Sequence, residues 1–106
     1  MSMHSNSHLG ISLMAMTHVA ASVPNLTYAC DTHYPWQEEE VVKGGRIRFE
    51  NGSVVVPTTP GLGVELDYDA LATLHEQYKS CGVRNRDDLT QIRKYDPSFT
   101  GKTPRF

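Results

Sequence analysis

The residues best suited to chemistry lie near the start of the chain, directly ahead of an apolar segment, in the run His4-Ser5-Asn6-Ser7-His8. A helix start leaves its first backbone N–H groups without intrahelical partners, so Ser5, Asn6 or Ser7 is expected to cap it. The free amides and the helix dipole then favour an anionic ligand. The run therefore predicts a carboxylate site, the alternative being that His4 and His8 are solvated side chains on one helix face.

A second set of polar residues, Asp31 and His33, follows a stretch rich in β-formers. This stretch predicts a strand over 26–31. A strand, a crossover helix and a second strand would place residues 4–6 and 31–33 side by side, so His33 is expected to share a cleft with His4. The alternative for Asp31 and His33 is a hydrogen-bonded pair within a loop.

Metal binding is another use of the same kinds of side chain, here His4, His8, His33 and Cys30. Their spacing does not match the close ligand pairs of zinc sites, which makes a metal-binding module the weaker hypothesis. Cys30 and Cys81 are expected to be reduced thiols, because two cysteines without secretory features are seldom paired. A cytoplasmic location is the corresponding expectation.

Length and charge limit the other functions of the chain. Its 106 residues leave room for one small core at most. The formal net charge is −2 with both signs interspersed, and the acidic run over 38–40 is expected to be solvated. There is no basic patch for nucleic acid or a membrane surface, and no apolar stretch near the ~20 residues of a membrane span. Neither nucleic acid nor a membrane is an expected partner.

The first element expected to position these residues is a helix over 5–22 that ends ahead of Pro24. Its apolar side chains recur at helical spacing, and they are Leu9, Leu13, Met16 and Ala20. This stripe is expected to pack in the core.

Turn residues predict a hairpin over 46–57. Asn51-Gly52 lies between two runs of β-formers, and the type I′ turn of short hairpins needs positive φ at both central positions. Gly61 and Gly63 indicate a second turn, because they lack the third glycine and the helix start of a phosphate-binding loop.

A second helix is predicted over 68–81. Asp67 is a suitable N-cap, and Gly82 is a suitable residue to follow the last turn. Residues 89–106 show no usable period, so an irregular tail is expected there.

Four blocks of the sequence together resemble the C-terminal portion of glucarate dehydratases in the enolase superfamily. They are His-Ser-Asn-Ser-His-Leu-Gly at 4–10, Asp-Thr-His at 31–33, Pro-Gly-Leu-Gly at 60–63 and Arg-Asp-Asp at 86–88. The blocks keep the family's order and approximate spacing. The first two are the most specific, while Pro-Gly-Leu-Gly occurs widely in the superfamily.

The resemblance implies an α/β fold, namely the C-terminal part of a (β/α)8 TIM barrel. Residues 1–33 would hold the last helix and strand of the barrel. Residues 34–106 would hold the hairpin and the helix that return to the capping domain. A complete barrel takes about 250 residues, so the barrel is expected to be incomplete. The magnesium ligands, the catalytic lysine and the aspartate that orients the histidine are expected on strands ahead of Met1.

The resemblance also implies a lyase. Glucarate dehydratases remove the proton α to a magnesium-bound carboxylate of D-glucarate and expel the β-hydroxyl, giving 5-dehydro-4-deoxy-D-glucarate and water. His4 matches the acid/base, and Ser5, Asn6 and His33, with His4, match substrate contacts. Arg86 matches a carboxylate-binding arginine, although by itself it would be interpreted as a solvated surface residue.

Three hypotheses remain at this point. The first is part of a Mg²⁺-dependent glucarate dehydratase that is inactive alone, because the metal ligands and lysine base are absent. The second is a non-catalytic gene remnant or small α/β interaction protein that associates with full-length paralogues. The third is the metal-binding module. In isolation, faces meant for absent partners are expected to favour a homo-oligomer or association with the N-terminal portion.

Overall fold

The computed structural model describes residues 1–85 and 87–102. Its elements in chain order are strand β1 (His4–Ser5), helix α1 (Gly10–Ser22), strand β2 (Asp31–Thr32), a 3₁₀ helix (Tyr34–Trp36), helix α2 (Tyr68–Ser80) and helix α3 (Asp88–Arg93). The chain divides into two compact units, Met1–Glu76 and Gln77–Phe106. Both strands belong to the first unit.

The two strands pair in parallel, and α1 is the crossover between them. The Asp31 backbone N donates to Met3 O at 2.9 Å, just ahead of the paired residues. The strand predicted over 26–31 is therefore corrected to Asp31–Thr32. Strand structure requires a paired neighbour, and β1 offers only two residues to pair with.

Helix α1 begins at Gly10 and not at residue 5, and it ends at Ser22 as the sequence predicts. Its N-cap residue is Leu9, which makes no side-chain capping bond. The Glu40 carboxylate takes that role, since its two oxygens accept from the Gly10 backbone N at 2.9 and 3.1 Å. The prediction that a residue among 5–7 caps the helix is wrong, because these residues form the end of β1 and the loop after it.

The core of the first unit is small. Its buried apolar side chains are Leu13, Met14, Tyr34, Val41 and Val42. The other members of the predicted stripe, Leu9, Met16 and Ala20, are half-buried. The start of α1 therefore packs against the segment that carries Glu40.

The hairpin turn is confirmed, whereas its arms are shorter than predicted. Asn51 and Gly52 have φ values of 50° and 75°, as a type I′ turn requires. Glu50 and Ser53 form an antiparallel bridge through reciprocal backbone bonds of 2.8 and 2.9 Å. The rest of 46–57 is not strand, in keeping with the marginal stability of an isolated two-stranded hairpin.

Helix α2 spans Tyr68–Ser80, close to its predicted bounds of 68–81. Asp67 Oδ1 accepts from the backbone N of Asp69 at 3.1 Å and of Ala70 at 3.0 Å, so Asp67 caps the helix as predicted. None of the helices in the described part of the chain is long and apolar enough to cross a bilayer.

The tail predicted as irregular over 89–106 contains most of a short helix. Helix α3 covers Asp88–Arg93, and the Asp87 carboxylate caps it by accepting from Thr90 N at 3.0 Å and Thr90 Oγ1 at 2.6 Å. A helix of 6 residues is too short to show a hydrophobic period, so only the cap could have indicated it.

Candidate active site

The centre of the candidate site is a hydrogen bond between side chains of the two strands. His4 Nδ1 lies 2.7 Å from Asp31 Oδ2, and the strand register places the two residues directly opposite each other. Both side chains are largely exposed, at 57% and 67%. An ionised carboxylate only accepts hydrogen bonds, so Nδ1 donates and the neutral imidazole keeps a free lone pair on Nε2. This is the arrangement of a histidine base oriented by a carboxylate.

Asn6 is placed to serve both protonation states of this imidazole. Its Oδ1 lies 3.2 Å from His4 Nε2, which suits the imidazolium form, because both ring nitrogens then donate. When His4 is neutral, rotation of the amide by half a turn presents an N–H to Nε2 instead. The predicted contact residue therefore lies beside the nitrogen that would exchange the proton.

The structure also brings His33 to this place. His33 follows β2, and its ring lies edge-on to the His4 ring with the centroids 6.0 Å apart. Trp36 packs on the His33 ring, with the ring centroids 5.2 Å apart, although 76% of the Trp36 surface is exposed. The predicted approach of His4 and His33 is therefore present, and Trp36 is a further aromatic neighbour of His33.

Asp31 makes a contact that differs from the one expected from the sequence. The orienting aspartate was expected on a strand ahead of Met1, and the alternative for Asp31 itself was a bond to His33. Here Asp31 makes the contact with His4, because the parallel register sets these residues opposite each other. The available signal was their common position at the carboxyl end of two neighbouring strands.

Ser5 faces the other side of the strand pair. Its Oγ lies 3.1 Å from His8 Nε2, and the same nitrogen lies 2.6 Å from Thr32 Oγ1. All three side chains are half-buried. The Ser5 hydroxyl is thus engaged within the protein on the face opposite to His4, and its contact with a substrate stays a prediction. Arg86 lies outside the described residues, and its role is likewise still a prediction.

A part-buried network of hydrogen bonds around Glu40, next to the site, fixes the start of α1. The Tyr34 hydroxyl donates to the Glu40 carboxylate and accepts from Ile47 N at 2.9 Å. Burial, together with the bond to Glu40, raises the pKa of Tyr34 to about 12. Glu40 also accepts from the amide of Gly10, so it is not part of a solvated acidic run as predicted. The helix terminus is therefore occupied by a carboxylate of the protein itself.

The described residues contain no group of three His, Cys, Asp or Glu side chains that could hold a metal ion. The hypothesis of a module built from His4, His8, His33 and Cys30 is therefore not supported. His4 and His8 are engaged with partners on opposite faces of the strands.

Comparison with known proteins identifies a family and similar relatives. Residues 1–70 match the family described as enolase C-terminal domain-like. A probable glucarate dehydratase of Streptomyces coelicolor is 53% identical over 108 residues, covering 99% of this chain and 25% of that protein. The chain therefore spans about a quarter of the length of this relative.

Solved structures of enolases are also similar to this chain. An enolase from Mycobacterium smegmatis, crystallised with tartrate, is 64% identical with a TM-score of 0.85, and the match covers 99% of this chain and 25% of that one. An enolase from Gibberella zeae, crystallised with magnesium, formate and sulfate, is 57% identical with a TM-score of 0.83 over the same shares of 99% and 25%.

Proposed function

Because this chain belongs to the enolase C-terminal domain-like family, we propose that it supplies the histidine side of the active site of a magnesium-dependent glucarate dehydratase. Its α/β fold is part of that family's barrel. In (β/α)8 barrels the active site lies at the carboxyl ends of the strands. The observation that carries the proposal is the 2.7 Å bond between His4 Nδ1 and Asp31 Oδ2 at that end of β1 and β2.

The proposed reaction converts D-glucarate to 5-dehydro-4-deoxy-D-glucarate and water. His4 Nε2 takes the proton α to a carboxylate, and the Asp31 carboxylate stabilises the imidazolium that forms. His4 then returns a proton to the departing β-hydroxyl. One imidazole suits both steps because its ordinary pKa lies near neutrality.

Substrate contacts are assigned to residues around His4. The Asn6 amide and the His33 ring offer donors and acceptors that suit the hydroxyls of a hexarate. Arg86 is proposed for one of its carboxylates, since a guanidinium binds a carboxylate through two parallel bonds. The tartrate of the Mycobacterium smegmatis structure is a smaller hydroxylated diacid and supports this class of substrate.

Magnesium is proposed for the complete enzyme on the strength of the magnesium-bound structure from Gibberella zeae. The described residues of this chain provide no ligand set for it. The metal ligands and the lysine base would come from the part of the relatives that this chain does not cover. The chain alone is accordingly proposed to be inactive, because stabilisation by a metal is worth several kcal/mol of the barrier in reactions of this kind.

The cytoplasm is the proposed location. Cys30 and Cys81 are both free, as expected in a reducing compartment.

The deciding experiment is complementation. The chain is mixed or co-expressed with the part of the Streptomyces coelicolor relative that it does not cover, and the keto-deoxy product is measured from D-glucarate with magnesium. Product is expected only when both parts are present, and His4→Asn should abolish it. His18→Asn is the matched control, since this half-buried histidine on α1 lies away from the His4–Asp31 pair and bonds to Leu62 O at 3.3 Å. An assembled but inactive complex would contradict the proposal.

A non-catalytic interaction protein is the second candidate, and one observation favours it. Several large apolar side chains are widely exposed, among them Tyr28 at 72%, Trp36 at 76% and Val55 at 67%. Such surfaces suit association with another protein. Stable binding to the intact relative without any product in the complementation assay would favour this function.

A further inference from the structure

The paired strands are joined by side chains on both of their faces. On the outer face, defined by His4 and Asp31, the imidazole bonds to the carboxylate. On the inner face, defined by Ser5 and Thr32, the two hydroxyls are linked through His8. Two residues of parallel pairing are a weak element by themselves, so the half-buried side-chain links of the inner face carry much of the alignment.

His8 Nε2 lies between the two hydroxyls of the inner face. Thr32 Oγ1 accepts from the Tyr34 backbone N at 3.1 Å and lies 2.6 Å from His8 Nε2. A neutral imidazole with its ring proton on Nδ1 accepts the Thr32 hydroxyl proton at Nε2, whereas an N–H at Nε2 donates to the second lone pair of Thr32 Oγ1. Ser5 Oγ lies 3.1 Å from the same nitrogen. His8 therefore links the two strands through Nε2.

The surroundings of His8 favour the neutral imidazole. The ring is half-buried and lies edge-on to the buried Tyr34 ring, with centroids 6.0 Å apart. Burial lowers the pKa of His8, and the charge of Glu40 opposes this to a smaller extent. Glu40 is in turn bonded to the Tyr34 hydroxyl and to the start of α1. The His8 ring thus packs against a tyrosine that is itself held by hydrogen bonds.

We propose that His8 is a positioning residue for the His4–Asp31 pair. By linking Ser5 to Thr32 on the inner face, it keeps the two strands aligned so that His4 and Asp31 meet on the outer face. Its importance for turnover rests on the proposed acid/base role of His4. The alignment itself is a property of the chain that can be measured without substrate.

The test uses the full 106-residue chain labelled with ¹⁵N-histidine. At a pH of about 9, where free imidazole is neutral, two-bond ¹H–¹⁵N spectra show which nitrogen of His4 carries the proton. The native chain is expected to show His4 with the proton on Nδ1 alone. His8→Leu should convert this into a mixture of both tautomers. His8→Gln should restore the native pattern, because its amide oxygen can accept in place of Nε2.

A second readout is hydrogen exchange of the Asp31 amide, which is bonded to Met3 O. His8→Leu should lower its protection about tenfold, the equivalent of one hydrogen bond. His18→Leu, which removes another half-buried imidazole, should change neither readout. If His8→Leu loses its helical circular dichroism, Thr32→Val takes its place, since valine keeps the shape and removes the hydroxyl.

A native His4 pattern in His8→Leu, or in Thr32→Val where that variant is needed, would overturn the proposal. So would an equal effect of His18→Leu, or a failure of His8→Gln to restore the pattern. An inactive complementation mixture in which His4 still shows the native tautomer would count against the proposed dehydratase function alone.

Discussion

At the scale of single residues, the role proposed for the exposed pair of His4 and Asp31 is in catalysis and not in the stability of the fold. Both side chains are more than half exposed, and exposed ion pairs contribute little to stability. The bond adds little to folding, but it fixes Nδ1 of the His4 imidazole. In the proposed mechanism this leaves Nε2 to exchange the proton with the substrate. Changes here should therefore affect turnover much more than the free energy of unfolding.

Replacement of Asp31 by asparagine tests this directly. Asp31→Asn keeps the size of the side chain and removes the charge that orients His4 and stabilises its imidazolium. The kcat of the complemented dehydratase should fall by about 10²-fold or more, within the range that general acid–base catalysis contributes. Urea denaturation should show no comparable loss of stability. Glu65→Gln, which alters an exposed carboxylate paired with Lys43, should leave kcat unchanged.

Tyr34 makes stability depend on alkaline pH. Its folded pKa is raised to about 12, whereas an unfolded tyrosine titrates near 10. The stability that Tyr34 contributes is therefore fully present below pH ~10, and it is lost as the pH rises through the folded pKa. Urea denaturation at increasing pH should show a steeper decline for the native chain than for Tyr34→Phe. Parallel curves for the two would contradict this assignment.

At the scale of elements, the local patterns predicted more than the contacts between distant segments. The presence of helix α1, the Asp67 cap and the Asn51-Gly52 turn each depend on neighbours in sequence, and each is found in the structure. The capping of Gly10 by Glu40 joins residues far apart along the chain. Such a contact leaves no local pattern, and that is why the helix start was misplaced.

The site shows the same division. His4, Asn6 and His33 were identified from residue types and resemblance, and the structure places Asn6 and His33 beside His4, whereas Ser5 lies on the opposite face. The partners of these residues depend on register, which short strands do not encode by alternation. The contacts of Asp31 and His8 could therefore be found only from the paired strands.

Glu40 is the residue on which the start of α1 depends. Glu40→Gln keeps the size of the side chain but weakens its bonds to Gly10 N and the Tyr34 hydroxyl. We expect a loss of about 1–2 kcal/mol in the free energy of unfolding, typical of a lost helix cap or a weakened charged hydrogen bond. Urea denaturation followed by circular dichroism measures it. Glu39→Gln, at an exposed neighbour, should stay within about 0.5 kcal/mol of the native value.

At the scale of the whole molecule, much apolar surface remains unburied. A groove of about 370 Å³ is lined by apolar side chains of α1 and of the segments around β2 and the hairpin turn, including Leu13, Met16, Ala20, Cys30 and Phe49. In a complete barrel such surfaces are covered by neighbouring strands and helices. The chain should therefore associate when it is studied alone.

Light scattering coupled to size exclusion tests this association. The native chain should show a mass above the 11.8 kDa of the monomer, increasing with concentration. Val55→Thr combined with Tyr28→Ser removes two widely exposed apolar side chains and should shift the distribution toward monomer. A native chain that remains monomeric at every concentration would contradict the expectation.

The pairing of β1 with β2 also limits how sequences of this kind can change. Successive side chains of a strand point to opposite sides, so a slip by one residue would exchange His4 for Ser5 next to Asp31. Insertions or deletions in the connection through α1 can therefore be accepted only where they leave His4 and Asp31 on the same face of the paired strands. Among homologous chains, length variation in this crossover is compatible with a histidine beside the carboxylate only under that condition.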